Sequence, residues 1–298
     1  MGSAAVNCGR TPKGESWEGT GLHWTEWPEQ VLATLRRGTV IPAHPLALNA
    51  NRELDAQRQR ALTRYYLDAG AGGLAVGVHT TQFAIRDVGL YAPVLELAAR
   101  TAADWTRSNP FLIAGLAGRT EQAGREADTA RGLGYHAGLL SLAAMKGATE
   151  DDLIAHAQTI AREIPLIGFY LQPAVGGIVL PVSFWRRFAA IDNVVAIKIA
   201  PFNRYRTLDV VRGVVEAAAE DRVTLYTGND DHIVLDLLTP FVVQANGDPI
   251  EVRIKGGLLG HWSVWVKRAV ELLARIHAAV EAGAVAEDLL ALDPQVTD

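Results

Sequence analysis

A single lysine interrupts an otherwise apolar run of the chain, Val194-Val-Ala-Ile-Lys-Ile-Ala200. Such a run is typical of a strand that is buried on both faces, as in a parallel sheet or barrel. Burial of an unpaired ammonium group is costly, and the usual relief is loss of its proton. A neutral amine can attack a carbonyl carbon and form a Schiff base, so Lys198 is a candidate nucleophile. The structural alternative is a lysine at the strand end that reaches water or pairs with a carboxylate.

Short apolar runs alternate with amphipathic helical stretches along the rest of the chain, at about 30 residues per unit. We predict eight strands, over Thr39–His44, Gly73–Val78, Phe111–Ala117, Ala137–Leu142, Leu166–Gln172, Val194–Ala200, Val223–Thr227 and Glu251–Ile254. No linker rich in Pro, Gly or Ser divides the chain. The pattern predicts an arm over residues 1–27 and one domain over residues 28–298, a (β/α)8 TIM barrel with a C-terminal helical extension. A doubly wound α/β sheet is the alternative if one strand is misassigned.

Charge and cysteine content narrow the class of protein. The net charge of −5 arises from 28 basic and 33 acidic residues without long runs of either sign. This argues against a nucleic-acid partner and against binding to an anionic membrane surface. No apolar stretch has the length of a membrane-spanning helix, and the N-terminus lacks the pattern of a signal peptide. Because Cys8 is the only cysteine, we predict a cytoplasmic protein without an internal disulfide.

Residues at the carboxyl ends of barrel strands carry the chemistry of TIM-barrel enzymes. Alternation along the fifth and sixth strands predicts that Tyr170 and Lys198 both point into the barrel, with bulky aliphatic residues on the outer face. Other polar residues fall at predicted strand ends, namely His44, His79, Thr80, Thr81, Gln82, Ser141, Gln172, Asn229, Asp230 and Asp231.

At these residues the chain resembles the dihydrodipicolinate synthase and N-acetylneuraminate lyase family of class I aldolases. Gly168-Phe-Tyr-Leu-Gln-Pro173 is similar to the family's Tyr-x-x-Pro strand, and its tyrosine precedes Lys198 by 28 residues, as in the family. Val194-Val-Ala-Ile-Lys198 is similar to the family's Schiff-base strand. Weaker matches complete a resemblance over residues 38 to 275, at His79-Thr-Thr-Gln82, Ile41-Pro-Ala-His-Pro-Leu46 and Gly228-Asn-Asp-Asp231.

The resemblance implies roles for individual residues. Lys198 forms the imine with a 2-oxo acid, and Tyr170 carries protons to and from the substrate. Thr80 and Thr81 hold the substrate's carboxylate and relay protons through Tyr170. Neither a cofactor nor a metal is implied, and a homo-oligomer (dimer or tetramer) is expected. Candidates for binding the variable part of the substrate are His79, Ser141, Gln172, Asn229 and Arg204.

Three departures from the family pattern argue against dihydrodipicolinate synthase activity itself. Ala174-Val-Gly-Gly177 replaces the segment in which the synthases carry a carboxylate-binding arginine, and Arg204 is a candidate substitute. No tyrosine occurs over Ser141–Met145, where the synthases place one that is lent to a neighbouring subunit. The loop at His79-Thr-Thr-Gln82 keeps the threonine pair and loses the family's glycines and glutamate.

The sequence therefore predicts a lyase that cleaves or forms a carbon–carbon bond through a Schiff base, with pyruvate or another 2-oxo acid and with or without an aldehyde. Alternatives are a dehydratase of 2-oxo sugar acids and a catalytically inactive barrel that binds a 2-oxo acid. A further alternative is a metal-dependent lyase, whose ligands would come from His79, Asp230, Asp231, His232 and His261.

Overall fold

Eight parallel strands form a nearly closed barrel in the computed structural model, which describes residues 21–245 and 247–298. The described strands are β1 Val40–Pro42, β2 Gly73–Val76, β3 Phe111–Leu116, β4 Ala137–Leu140, β5 Leu166–Leu171, β6 Val194–Ala200, β7 Thr224–Thr227, β8 Phe241–Ala245, β9 Asp248–Val252 and β10 Ile254–Leu259. Eight of these strands form the barrel, in the order β1-β10-β7-β6-β5-β4-β3-β2, and β8 pairs with β9 in a separate hairpin. A parallel bridge between Ala43 and Ala75 joins β1 to β2. The predicted TIM barrel is confirmed, and the doubly wound alternative is wrong.

Helices alternate with the strands and pack around the barrel. The described helices are α1 Glu29–Arg37, α2 Ala56–Asp68, α3 Tyr91–Trp105, α4 Thr120–Gly132, α5 Glu150–Ala161, α6 Val182–Ala189, α7 Arg204–Glu216, α8 Ile233–Leu238, α9 His261–Val264, α10 Val266–Ala282, α11 Glu287–Leu290 and α12 Leu292–Thr297. Helix α10 completes the eighth unit of the barrel, and α11 and α12 form the predicted C-terminal extension. None of the described helices is both long and apolar enough to cross a membrane.

The eighth barrel strand lies further along the chain than predicted. Glu251 belongs to an antiparallel hairpin of β8 and β9, whereas the barrel strand is β10. Its sequence, Ile-Lys-Gly-Gly-Leu-Leu, contains two adjacent glycines and an exposed lysine. Gly256 is required there because an added Cβ would lie 2.6 Å from Cε1 of Tyr226 and 2.6 Å from the carbonyl oxygen of Thr39. Glycines that permit such close approach weaken the sequence signal of a strand.

Helix α1, which the sequence analysis did not predict, closes the amino-terminal end of the barrel. Val31 and Leu35 are fully buried in the interior cluster, and Trp27 packs against Phe111 with ring centroids 5.2 Å apart. The hydroxyl of Tyr226 donates a hydrogen bond to the carbonyl oxygen of Leu35 at 2.8 Å. This end of the barrel is therefore filled with side chains. Cys8 and Trp17 of the predicted arm lie outside the described residues.

The register of β5, β6 and β7 decides which side chains face the interior. Lys198 is paired with Phe169 of β5 and with Tyr226 of β7, and paired residues of a parallel sheet point to the same side. Tyr170 is paired with Ile199 in the next row, so it faces the surrounding helices. The prediction that Tyr170 and Lys198 both point into the barrel is therefore wrong.

Two features explain the orientation of β5. Strand β5 alternates without interruption and places Ile167 and Phe169 in the interior cluster, while the bulge near Val195 of β6 leaves Lys198 on the face that the sequence predicts. On the outer face, Gly168 leaves room for α6, since an added Cβ would lie 2.7 Å from Cε1 of Phe188. The aromatic residues of α6 fill the space outside β5, and the bulky residues of β5 fill the barrel.

A buried ion pair anchors the loop that follows β2. Arg86 binds Glu126 of α4 with two contacts of 2.8 Å, and the two side chains are about nine-tenths buried. The guanidinium also donates to the carbonyl oxygens of Gly77 and Gly115, at 3.2 and 2.9 Å. The main-chain amide of Ala117 donates to the Glu126 carboxylate at 2.9 Å. This cluster fixes the loop that carries the His79–Thr81 turn.

We predict that Glu126→Gln lowers the free energy of unfolding by about 3 kcal/mol, because it leaves a buried guanidinium without its counter-charge. Denaturant unfolding followed by circular dichroism measures the change. The matched control is Glu271→Gln, which removes the carboxylate from the exposed Arg268 pair and should cost less than about 0.5 kcal/mol. Equal effects of the two substitutions would contradict the anchoring role of the buried pair.

Candidate active site

Lys198 is the buried cation at the centre of the site. Its side chain is 9% exposed, and its Nζ lies 4.5 Å from the centroid of the Phe169 ring. Strand β6 places Lys198 in the barrel interior beside β7, and Gly228 follows the end of β7. An added Cβ at Gly228 would lie 2.7 Å from Cε of Lys198 and 2.8 Å from Cβ of Ala200. The glycine therefore makes room for the lysine side chain.

Burial changes the acidity of this amine. Desolvation lowers the pKa of Lys198 from 10.5 to about 8, and the negative charge of Asp230 partly opposes this effect. At pH 7 about 10% of such an amine is uncharged, compared with about 0.03% of an ordinary lysine. The arrangement thus supplies a nucleophile near neutral pH.

Tyr170 lies on the opposite side of the sheet from this amine. Its hydroxyl accepts a hydrogen bond from the amide of Leu180 at 3.2 Å and donates to the carbonyl oxygen of the same residue at 3.3 Å. Its ring packs on Trp185 of α6, with centroids 5.0 Å apart. Burial raises the pKa of Tyr170. The structure thus makes Tyr170 a buried residue between β5 and α6 rather than a neighbour of Lys198.

The two threonines after β2 have different surroundings. Thr81 is fully buried; its hydroxyl donates to the carbonyl oxygen of His44 at 2.6 Å and accepts from the amide of Gly77 at 3.0 Å. That hydroxyl is engaged in joining the first two strands. Thr80 is half-buried at the rim, and its Oγ1 lies 3.6 Å from the position of an added Cβ on Gly260. The hydroxyl of Thr80 therefore lies beside the end of β10.

His79 begins the same turn and is exposed to solvent. Partial desolvation lowers the pKa of its imidazole, and the positive charge of Lys198 lowers it further. His79 therefore lies close enough to Lys198 for the charge of the buried amine to act on its ring. At neutral pH its ring is therefore uncharged and able to accept or donate a hydrogen bond.

Ser141 and Gln172 lie at the ends of β4 and β5. Ser141 is buried, and its Oγ accepts a hydrogen bond from the amide of Ala143 at 3.4 Å. Gln172 is half-buried and precedes the turn Pro173–Val175. Both remain at the carboxyl-terminal end of the barrel, where a substrate would enter.

Arg204 and Asn229 are held by a buried carboxylate outside the barrel interior. Asp236 of α8 is fully buried and pairs with Nη1 of Arg204 at 2.7 Å. It also accepts hydrogen bonds from the Asn229 amide at 3.0 Å and from the hydroxyl of Thr227 at 2.7 Å. The side-chain carbonyl of Asn229 accepts a hydrogen bond from the main-chain amide of Phe202 at 2.9 Å. These contacts fasten the loops after β6 and β7 to each other, so the structure gives both residues a structural role.

His44, at the end of β1, is also structural. It is fully buried, and its Nε2 is 2.9 Å from the hydroxyl of Thr63. Its Nδ1 lies 3.0 Å from the side-chain nitrogen of Gln59. Burial lowers the pKa of His44 to about 4, so the ring is neutral at physiological pH.

Two further residues, Asp230 beside Lys198 and His261 beside Asp230, were given a role in the sequence analysis only as possible metal ligands. Asp230 follows β7 and His261 follows β10, and each has a buried side-chain atom without a hydrogen-bond partner, Oδ1 of Asp230 and Nδ1 of His261. Within residues 21–245 and 247–298, no group of three or more His, Cys, Asp or Glu side chains is arranged to hold a metal ion. The proximity of these two residues depends on β10, the strand whose position the sequence analysis misassigned.

Several solved structures share this fold. A chloride-inhibited dihydrodipicolinate synthase from Acinetobacter baumannii, complexed with pyruvate, is 20% identical, with a TM-score of 0.72 over 88% of this chain and 82% of the other. CdNal from Clostridium difficile, in complex with mannosamine, is 14% identical, with a TM-score of 0.70 over 87% of this chain and 80% of the other. YagE, a prophage protein from E. coli K12 in complex with pyruvate, is 20% identical, with a TM-score of 0.66 over 87% and 79%.

Sequence comparison agrees with the fold. No curated protein matches the chain. The model of the dihydrodipicolinate synthetase family matches residues 37–240, a segment that contains β1 through β7 and the buried lysine. The resemblance noted in the sequence is thereby confirmed, and the chain belongs to the dihydrodipicolinate synthetase family.

Proposed function

We propose that the protein is a lyase that forms a Schiff base between Lys198 and pyruvate or another 2-oxo acid. The observation that carries the proposal is a buried amine in the barrel interior whose pKa is lowered to about 8. Family membership supports an aldolase-type lyase. Two of the similar structures, the Acinetobacter baumannii synthase and YagE, hold pyruvate.

The chemistry begins with attack of the neutral Lys198 amine on the ketone carbon, C2, of the 2-oxo acid. Loss of water gives a protonated imine. This cation withdraws electrons from the adjacent carbon, C3, and so lowers the barrier for breaking or forming a bond there. The burial that lowers the pKa of the amine also excludes water from the imine and strengthens electrostatic interactions around it.

The carboxylate of the 2-oxo acid would lie at the turn after β2. Thr80 offers a hydroxyl at the rim, and His79 offers a neutral ring within the field of Lys198. Thr81 fixes this turn through the hydrogen bonds of its hydroxyl with the main chain of His44 and Gly77. The turn is itself held by the Arg86–Glu126 pair, which gives the carboxylate site a rigid base.

The second substrate differs, in this proposal, from that of dihydrodipicolinate synthase. The segment after Tyr170 contains no arginine, and Arg204 does not replace it because Asp236 already neutralises its guanidinium. Ser141 and Gln172 are the remaining candidates for contacts with the variable part of the substrate. The cytoplasmic location and the homo-oligomeric state stay predictions.

Trapping of the imine tests the proposal. We expect intact-protein mass spectrometry, after borohydride reduction in the presence of pyruvate, to show one adduct on the wild-type protein and none on Lys198→Ala. Peptide mapping can assign the site without ambiguity, because the chain has only four other lysines, at positions 13, 146, 255 and 267. Absence of an adduct with a panel of 2-oxo acids would remove the basis of the proposal.

Substitution of Gly228 tests the geometry around the amine. We predict that Gly228→Ala slows adduct formation at least about tenfold, because the new methyl group would overlap Cε of Lys198 and Cβ of Ala200. The matched control is Gly132→Ala at the end of α4, where an added Cβ meets nothing within 4 Å. Equal trapping rates in both variants and the wild type would show that Lys198 does not need the space beside Gly228.

A further inference from the structure

Because Tyr170 faces the outer helices, a group other than its hydroxyl must move protons at the Lys198 imine. We propose that Asp230 is the acid–base group that transfers the proton at C3 of the bound 2-oxo acid, and that His261 positions it. This inference rests on the proposed Schiff-base function and extends it to a second catalytic residue.

Asp230 lies in the turn after β7, close enough to Lys198 for each charge to act on the pKa of the other. Tyr226 of β7 is paired with Lys198 and faces the interior, and Gly228 leaves room for the lysine side chain. Asp230 follows this glycine by two residues. The residues between them, Thr227 and Asn229, turn the other way and bind Asp236 outside the barrel. The end of β7 thus brings one carboxylate toward the amine and fixes the opposite face with hydrogen bonds.

The carboxyl group of Asp230 has unused hydrogen-bonding capacity. Its Oδ1 is buried and has no partner, and the same holds for Nδ1 of His261. Leaving a buried polar atom unpaired costs about 1–3 kcal/mol, and such atoms in a native structure call for an explanation. A substrate that enters between these groups would provide the missing partner. Asn229, one residue away, has its amide fully engaged, which sets Asp230 apart from its neighbour.

The charges around Asp230 suit a group that gains and loses a proton. Burial raises the pKa of Asp230, while the charges of Lys198 and His261 and the main-chain amide of His261 lower it; the nearby Asp231 raises it slightly. The raised pKa brings this carboxyl group closer to protonation than a surface aspartate, which suits an acid–base group. His79 adds no charge, because its pKa is lowered below 6.5.

The proposed step conserves atoms and electrons. In the protonated imine of pyruvate, the Asp230 carboxylate removes a proton from C3. The C–H electron pair forms the C2–C3 double bond, and the electrons of the C2–N double bond return to nitrogen, which gives a neutral enamine. When the enamine attacks an aldehyde, the protonated Asp230 returns its proton to the new alkoxide oxygen. Cleavage follows the same path in reverse, and water then releases the 2-oxo acid from Lys198.

Asp230 could instead serve only as a counter-ion for the lysine ammonium group. The two roles predict different outcomes for Asp230→Asn. Loss of the negative charge lowers the pKa of Lys198 further, since Asp230 raises it at present. Imine formation should therefore be unchanged or faster at pH 7, whereas an acid–base role requires that proton transfer at C3 becomes slow.

Exchange of the pyruvate methyl protons with deuterated water measures proton transfer directly and needs no second substrate. We expect Asp230→Asn to slow this exchange, followed by proton NMR, by about 100-fold or more. Borohydride trapping on Lys198 in the same variant should match the wild type within about threefold or exceed it. The matched control is Asp231→Asn, which neutralises the exposed neighbouring carboxylate, removes only the smallest influence on the pKa of Asp230 and should change both rates by less than about twofold.

His261→Asn tests the positioning role. It should shift the pH dependence of exchange toward higher pH, because a positive influence that lowers the pKa of Asp230 is lost, while trapping persists. Wild-type exchange in Asp230→Asn would overturn the inference, as would loss of trapping in a folded variant. If the wild-type protein forms no adduct, the proposed function itself fails and this inference falls with it.

Discussion

The side chain of Lys198 lies inside the barrel, between the ring of Phe169 and the backbone of Gly228, where burial withdraws water from its amine. Desolvation of a cation is unfavourable, and the resulting pKa of about 8 keeps a usable fraction of the amine neutral. The neighbouring strands leave room for this side chain. Strand β5 contributes the ring of Phe169, and Gly228, which follows β7, has no side chain that would fill the space. An amine at the same position on the outer face would meet α6 and α7 instead.

Much of this arrangement follows from local sequence pattern. Seven of the eight barrel strands and the burial of Lys198 were predicted, because runs of branched apolar residues and regular spacing of helices are properties of short segments. The eighth strand was misplaced because Gly256 leaves room for the backbone of Thr39 and Gly257 for the side chain of Trp262, and two adjacent glycines weaken the sequence signal of a strand. The orientation of Tyr170 was predicted wrongly because the bulky residues Ile167 and Phe169 fill the barrel interior, and because the space that Gly168 leaves for α6 is a tertiary feature.

The roles of the polar residues at the strand ends could be predicted even less well from the sequence alone. Arg204 and Asn229 have the chemistry of substrate ligands, and only the structure shows that Asp236 binds both of them. Asp230 and His261 are separated by 31 residues and follow neighbouring strands, so their relation to each other depends on the position of β10, which was misassigned. Which polar side chain remains unpaired in a folded protein is decided by the partners available to all the others.

The central claim is that Lys198 is a neutral nucleophile near physiological pH. The most direct test is the rate of cyanoborohydride trapping of pyruvate on Lys198 as a function of pH, with the exposed Lys146 as an internal reference in the same peptide map. The account predicts that the Lys198 rate follows a titration with a midpoint near 8. A midpoint near 10.5 at Lys198, the value of an ordinary lysine, would contradict it.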